Sequence, residues 1–307
     1  MTIKSTESNR AQFSAILALA GLAIVWGYNW VVMKIAVRDA PPFDFAAMRT
    51  LFGALSLFGV MIALRKPLKP VAIPETALFG ILQVTGTIGL ITWALVNGGA
   101  GKTAVLNYTM PFWALLLAWA FLKERPQGKQ WWSLALSLAG LVMILVPFTL
   151  SDDLASKGMA VGAGICWAIS SIVAKRLNQR TRVDLLSFTA WQMLFGSLPL
   201  LLIAWLAPAP PVMWTPSFIA ALVYNVIPGG AIAWLLWVYA LNNLSTGSAS
   251  LGTLAIPVVG VLAAWLQLGE VPTGLEFLGM VLIVGALILN SLAAVQKREA
   301  PTQPSVR

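Results

Sequence analysis

Ten separate runs of about twenty apolar residues leave this chain few places to fold. A helix needs roughly 20 apolar residues to cross the hydrocarbon core of a bilayer. The runs fall at residues 12–36, 43–64, 75–97, 102–122, 128–148, 157–177, 184–206, 215–240, 245–268 and 272–295, with short polar or Pro/Gly-marked breaks between them. Within a membrane every backbone N–H and C=O must be satisfied inside its own segment, so runs of this length are helices. The fold class they predict is an all-α polytopic membrane protein with ten transmembrane helices. The weakest break is Asn97–Lys102, and no loop is long enough to hold a separate soluble domain. The first run is too long for a cleaved signal peptide and continues into a polar Tyr28-Asn29 pair. Residues 1–11 read as a short cytoplasmic segment, and 296–307, with two prolines and no apolar run, as a disordered cytoplasmic tail.

Charge explains itself once the runs are placed. Only 10% of the 307 residues are charged, against about 25% in soluble domains. The formal net charge of +9 comes from 20 basic and 11 acidic residues. With the N-terminus in the cytoplasm, 15 of the 20 basic residues lie in or beside cytoplasmic segments, among them Arg65–Lys69, Lys123–Lys129 and Lys175–Arg182. Lys34, Arg38, Lys102 and Lys157 fall on the other side, and Arg49 lies inside the second run. Such a bias predicts that both termini are cytoplasmic. The basic balance therefore needs no nucleic-acid partner; the partners expected are the lipid bilayer and a small-molecule substrate, with the oligomeric state left open.

The two halves of the chain can be laid over each other. An offset of 146 brings Pro111 onto Pro257, Trp119 onto Trp265, Glu124 onto Glu270 and Pro126 onto Pro272. An offset of 141 brings Trp26 onto Trp167 and Lys34 onto Lys175. Leu51-Phe52-Gly53-Ala54-Leu55 reads like Leu194-Phe195-Gly196-Ser197-Leu198. The repeats are residues 12–150 and 151–295. Each holds five spans, an odd number, so the second must enter the membrane from the opposite side. This is the inverted-repeat plan of many secondary transporters.

The Trp26-Gly27 pair, Pro111 and Pro257, and Glu124-x-Pro126 with Glu270-x-Pro272 resemble the drug/metabolite transporter superfamily in its ten-span form, built from two EamA-like repeats. The resemblance spans roughly residues 12–295. It implies a basket-like bundle in a bacterial inner membrane, with a central cavity lined mainly by spans 1, 3, 4, 6, 8 and 9. It also implies export of small organic solutes, with bacterial exporters of aromatic amino acids nearest in kind. The family marks speak to fold more than to substrate, because members carry very different solutes. Export of other metabolites or drugs, with or without ion coupling, is the alternative.

Catalysis has little to work with. There is no histidine, the single cysteine is Cys166, and all 11 acids sit in loops, tails or at span ends. That pattern predicts no enzyme, no cofactor and no metal site, and it offers no titratable acid at the midplane to carry a coupled proton. Transport down the substrate's own gradient follows. Arg49 is the one charge well inside a run; it either holds a substrate carboxylate or snorkels to the interface. The remaining candidates for substrate binding are neutral: Trp26, Tyr28 and Asn29; Gln83 and Thr85; Asn107 and Tyr108; Trp167, Ser170 and Ser171; and Tyr224, Trp234 and Tyr239. Buried amides and hydroxyls need partners that a ligand can supply, and aromatic faces stack on flat apolar groups. Pro111 and Pro257 remove helix hydrogen bonds, and Gly229 follows Pro228, so these three mark candidate hinges. Glu124 and Glu270 read as caps or pairs at the interface.

Overall fold

A computed structural model describes residues 2–123, 125–145, 152–181, 183–243 and 253–299. Among the described residues there are helices and no strands. We label the helical units α1 to α10. α1 is Thr2–Asp39 and α2 is Pro42–Ala63. α3 runs as Ile73–Gly80, a π-helical stretch Ile81–Ile88, and Gly89–Asn97. α4 is broken into Ala100–Asn107 and Met110–Leu122. α5 is Lys129–Leu145, α6 Asp152–Arg180 and α7 Leu185–Leu206. α8 runs as Pro216–Val226, a π-helical stretch Ile227–Ile232, and Ala233–Asn243. α9 is Ala255–Leu268 and α10 is Gly274–Glu299.

Among the described residues, seven helices are long and apolar enough to cross a membrane, and three apolar helices, Lys129–Leu145, Ala255–Leu268 and Gly274–Asn290, are shorter. The far end of the fifth run, the start of the ninth run and Glu124 lie outside the described residues, as do residues 300–307. The tail departs from expectation at its start, because α10 remains helical through Glu299.

Local chemistry sets the helix ends. Pro42, Pro74 and Pro216 stand in the first turns, where no N–H donor is needed. The Thr215 and Asp184 side chains accept from the backbone N–H of Phe218 and Ser187, each at 3.0 Å. The second piece of α4 and α9 end alike, in left-handed residues at matching places of the two repeats, Lys123 (φ 57°) and Gly269 (φ 67°).

The helices pack in pairs that map onto one another when the two five-helix halves are exchanged. α5 packs on α10, α2 on α7 and α4 on α9. α1 packs on α9 and α8, while α6 packs on α4 and α3; α3 packs on α7, and α2 on α8. Small residues make the closest crossings. A Cβ on Gly196 of α7 would lie 2.2 Å from the Gly80 carbonyl of α3, and one on Gly140 of α5 would lie 2.6 Å from the Gly279 carbonyl of α10. Without water to drive helices together, such close backbone packing is a main source of cohesion in lipid. Large apolar side chains such as Trp205, Leu266 and Trp132 are left on the outside of the bundle.

Candidate substrate cavity

The two halves together line a partly open cavity of about 150 Å³. α1 lines it with Trp26, Asn29, Trp30 and Met33, and α2 with Arg49 and Thr50. α3 gives Gln83, Val84, Ile88 and Ile91, α4 Tyr108, α6 Trp167, and α7 Gln192 and Met193. α8 gives Asn225, Gly229, Gly230 and Trp234, and α9 Ile256. α2 and α7 thus join the six spans expected at the wall. They do so because their mutual crossing is made by glycine: Gly53 of α2 packs on the tip of Met193, which carries Thr50 and Gln192 up to the cavity.

Eight sequence candidates meet here: Trp26, Asn29, Gln83, Tyr108, Trp167, Trp234, Arg49 and Gly229. Arg49 lies with its Nη1 against Met33 Sδ and its guanidinium 5.8 Å from the centre of the Phe45 ring. It lines the cavity instead of reaching outward, and among the described residues no carboxylate pairs with it. The Trp26 ring meets Trp234 edge-on at 5.6 Å, and its Nε1 donates to the Gly229 carbonyl at 3.0 Å. That bond ties α1 to the π-helical stretch of α8, where the backbone ladder is irregular.

The other candidates stand apart from the wall, each for a visible reason. Tyr28 and Tyr224 stack edge-on against each other, and the Tyr224 hydroxyl donates to the Val25 carbonyl at 2.9 Å. Thr85 donates to the Gly196 carbonyl at 2.6 Å, across the α3–α7 crossing. Ser171 donates back to the Trp167 carbonyl, and Ser170 to Gln83 Oε1 at 2.6 Å. Ser170 therefore orients a wall residue without reaching the cavity. Tyr239 is 41% exposed on the outside of α8. Pro111 and Pro257 each lie just past a helix break, at Tyr108–Thr109 and at Leu254. Pro111 cannot donate to the Asn107 carbonyl, and Gly164 of α6 packs close against that carbonyl. Asn107 itself is fully buried with neither end of its amide hydrogen-bonded.

Sequence reasoning missed Gln192, Thr50 and the apolar wall, whereas Trp30 and Asn225, polar-tipped residues inside the first and eighth runs, are legible as lining. One signal for Gln192 was present: the Leu-Phe-Gly match between spans two and seven places Gln192 on Arg49.

The pattern of the EamA-like transporter family matches the chain twice, over residues 13–146 and 157–292. The chain belongs to that family. Full-length relatives agree. An uncharacterized transporter, YoaV, of Bacillus subtilis (strain 168) is 27% identical over 289 residues, covering 92% of this chain and 98% of its own. A probable amino-acid metabolite efflux pump of Escherichia coli (strain K12) is 26% identical, covering 90% and 93%. A probable terminal-alkyne amino-acid exporter of Streptantibioticus cattleyicolor is 28% identical, covering 94% and 97%. A solved crystal structure superimposes with a TM-score of 0.64 at 20% identity, over 94% of this chain and 99% of the other; at that identity the likeness shows the fold alone. The chain is thus a multi-pass membrane transporter of the EamA-like family, built on two repeats.

This EamA-like transporter holds its α3–α4 connection at both helix ends. Lys34 of α1 donates to the Leu95, Val96 and Gly98 carbonyls that close α3, at 2.7, 3.2 and 2.9 Å. Glu270, at the end of α9, accepts from the Ala100 and Gly101 N–H groups that open α4, at 2.8 and 3.1 Å. A cation at a helix C-terminus and an anion at an N-terminus both match the helix dipole. Glu276 closes a capping box with Thr273 and pairs with Lys102 at 3.0 Å. Glu270 is thus a cap, as its place beside Pro272 suggested.

Proposed function

We propose that this chain exports small organic solutes bearing a carboxylate, foremost amino acids with apolar or aromatic side chains. Arg49 carries the reading. It is a guanidinium without a carboxylate partner among the described residues, in a cavity walled by Trp26, Trp30, Trp167, Trp234 and Tyr108. A charge in the membrane interior is costly and marks a substrate path, and a guanidinium matches a carboxylate with two parallel hydrogen bonds. The aromatic walls suit a flat apolar side chain. Two relatives named for amino-acid export support the substrate class.

The two repeats act as an inverted pair of five spans in a bacterial inner membrane, with both termini cytoplasmic, and alternate access by rocking around the cavity. The apolar runs at 128–148, 245–268 and 272–295 bring the three shorter helices to spanning length, which makes ten spans. None of the residues lining the cavity is Asp or Glu, which supports facilitated movement without proton loading. The purified protein in liposomes is expected to move labelled phenylalanine and tryptophan down their gradients, equally with and without a pH gradient, and to leave a sugar behind. Absence of protein-dependent amino-acid flux overturns the substrate class. Flux that requires a proton gradient overturns the uncoupled mechanism.

A further inference from the structure

Three amide side chains in the cavity have an unmet need. Asn29 on α1, Gln192 on α7 and Asn225 on α8 line it and are 5%, 3% and 2% exposed. In each, the side-chain carbonyl oxygen is buried and accepts no hydrogen bond from the described residues. For Asn225 the orientation is fixed by chemistry: its Nδ2 donates to the Ala221 carbonyl at 2.9 Å, a bond that only the NH₂ end can make, so the oxygen is the free end. Asn29 Oδ1 stands over Gly229, 3.4 Å from where a Cβ would be, so the glycine keeps that oxygen clear.

Buried acceptors without donors are rare and point to a partner that is supplied from elsewhere. Three of them around one cavity call for a group that donates several hydrogen bonds at once. A protonated primary amine has three N–H donors, a hydroxyl one. Its positive charge also strengthens each bond to a buried amide oxygen. Amide oxygens do this without titrating, so they take up the cation and exchange no proton with it.

We infer that Asn29, Gln192 and Asn225 bind the protonated amino group of the substrate, so that the cavity selects zwitterions bearing a primary ammonium over the matching carboxylic acids. The inference rests on the amino-acid reading above, in which Arg49 takes the carboxylate, and it names what holds the opposite end of the same molecule.

The four cavity tryptophans allow a direct test by fluorescence titration of the purified full chain. The probes are L-phenylalanine, 3-phenylpropionate, 2-phenylethylamine and 2-phenylethanol. L-phenylalanine is expected to bind at least about tenfold more tightly than 3-phenylpropionate, and 2-phenylethylamine more tightly than 2-phenylethanol by a similar factor, because each amine-free probe leaves buried acceptors unpaired. Gln192→Leu and Asn225→Leu are expected to shrink both ratios while leaving 3-phenylpropionate binding in place. The wild-type ratios decide the matter even where a variant fails to fold. Equal binding of L-phenylalanine and 3-phenylpropionate overturns the inference. Preference for the amines combined with no effect of Arg49→Gln on any probe overturns the carboxylate reading and leaves the ammonium site standing. Binding of none of the four overturns both.

Discussion

Arg49 on α2 and Gln192 on α7 stand at the same place in the two halves, each two residues before a Leu-Phe-Gly triplet, and both line the cavity. Around them the wall repeats: Trp26 matches Trp167, Gln83 matches Gly229 and Ile88 matches Trp234. The positions that line the wall are thus shared between the halves, and the charge is not. A pseudo-symmetric cavity with a cation on one side only gives a bound zwitterion one favoured direction. On the proposed function, the fold's symmetry would serve the rocking of two like bodies, and the departure from it at one pair of positions would serve recognition.

That comparison can be broken most directly at Arg49. Arg49→Gln makes the two positions alike, and flux of a carboxylate substrate at low concentration is expected to fall by about ten- to a hundredfold, the worth of a charge-assisted hydrogen bond in a dry site. Arg49→Lys should retain part of the flux, because an ammonium supplies charge without the planar fork.

The next largest contrast is between the glycines of the two matching triplets. A Cβ on Gly196 would lie 2.2 Å from the Gly80 carbonyl and 2.5 Å from Val84 Cβ, which cannot give way without moving backbone. A Cβ on Gly53 meets only the flexible tip of Met193, at 2.6 Å. Gly196→Ala is therefore expected to cost about 3 kcal/mol and Gly53→Ala under about 1 kcal/mol, read as thermal stability of the purified protein. Similar losses in both would mean that the α3–α7 crossing is no tighter than the α2–α7 one.

The smallest contrast lies at the prolines. Pro111→Ala and Pro257→Ala should each slow flux more than they lower membrane abundance, with the larger effect at Pro111, whose helix break carries Tyr108 into the cavity. Equal loss of flux and abundance in both would assign the prolines to folding alone.

Most of the fold was legible because apolar length is a direct physical requirement of the bilayer, and because Glu270-x-Pro272 repeats Glu124-x-Pro126 in order. The site was half legible. Trp26, Trp167 and Trp234 announce themselves as large polar-tipped aromatics inside apolar runs, and Arg49 as a costly charge. Tyr28, Tyr224, Thr85 and Ser171 have the same chemistry but pack on one another or donate to backbone carbonyls of their own or a neighbouring helix. Periodicity cannot separate a hydroxyl that serves a ligand from one that serves a neighbouring carbonyl. The π-helical stretch of α3 was hidden as well, since Leu82-Gln83-Val84-Thr85-Gly86 has no proline, while its counterpart in α8 is marked by Pro228-Gly229-Gly230.

Those two stretches also govern how the sequence can change in length. Each backbone N–H there reaches one residue further back than in an α-helix, so each stretch stores a residue that an ordinary helix would not need. Loss of one residue within 81–88 or 227–232 can be absorbed where it occurs, by closing the stretch into plain α-helix. The same loss within α2 or α7 would turn every residue beyond it by about 100°, taking Arg49 or Gln192 away from the cavity. Deletions in descendants of this chain should therefore collect in the middle of α3 and α8, beside the cavity.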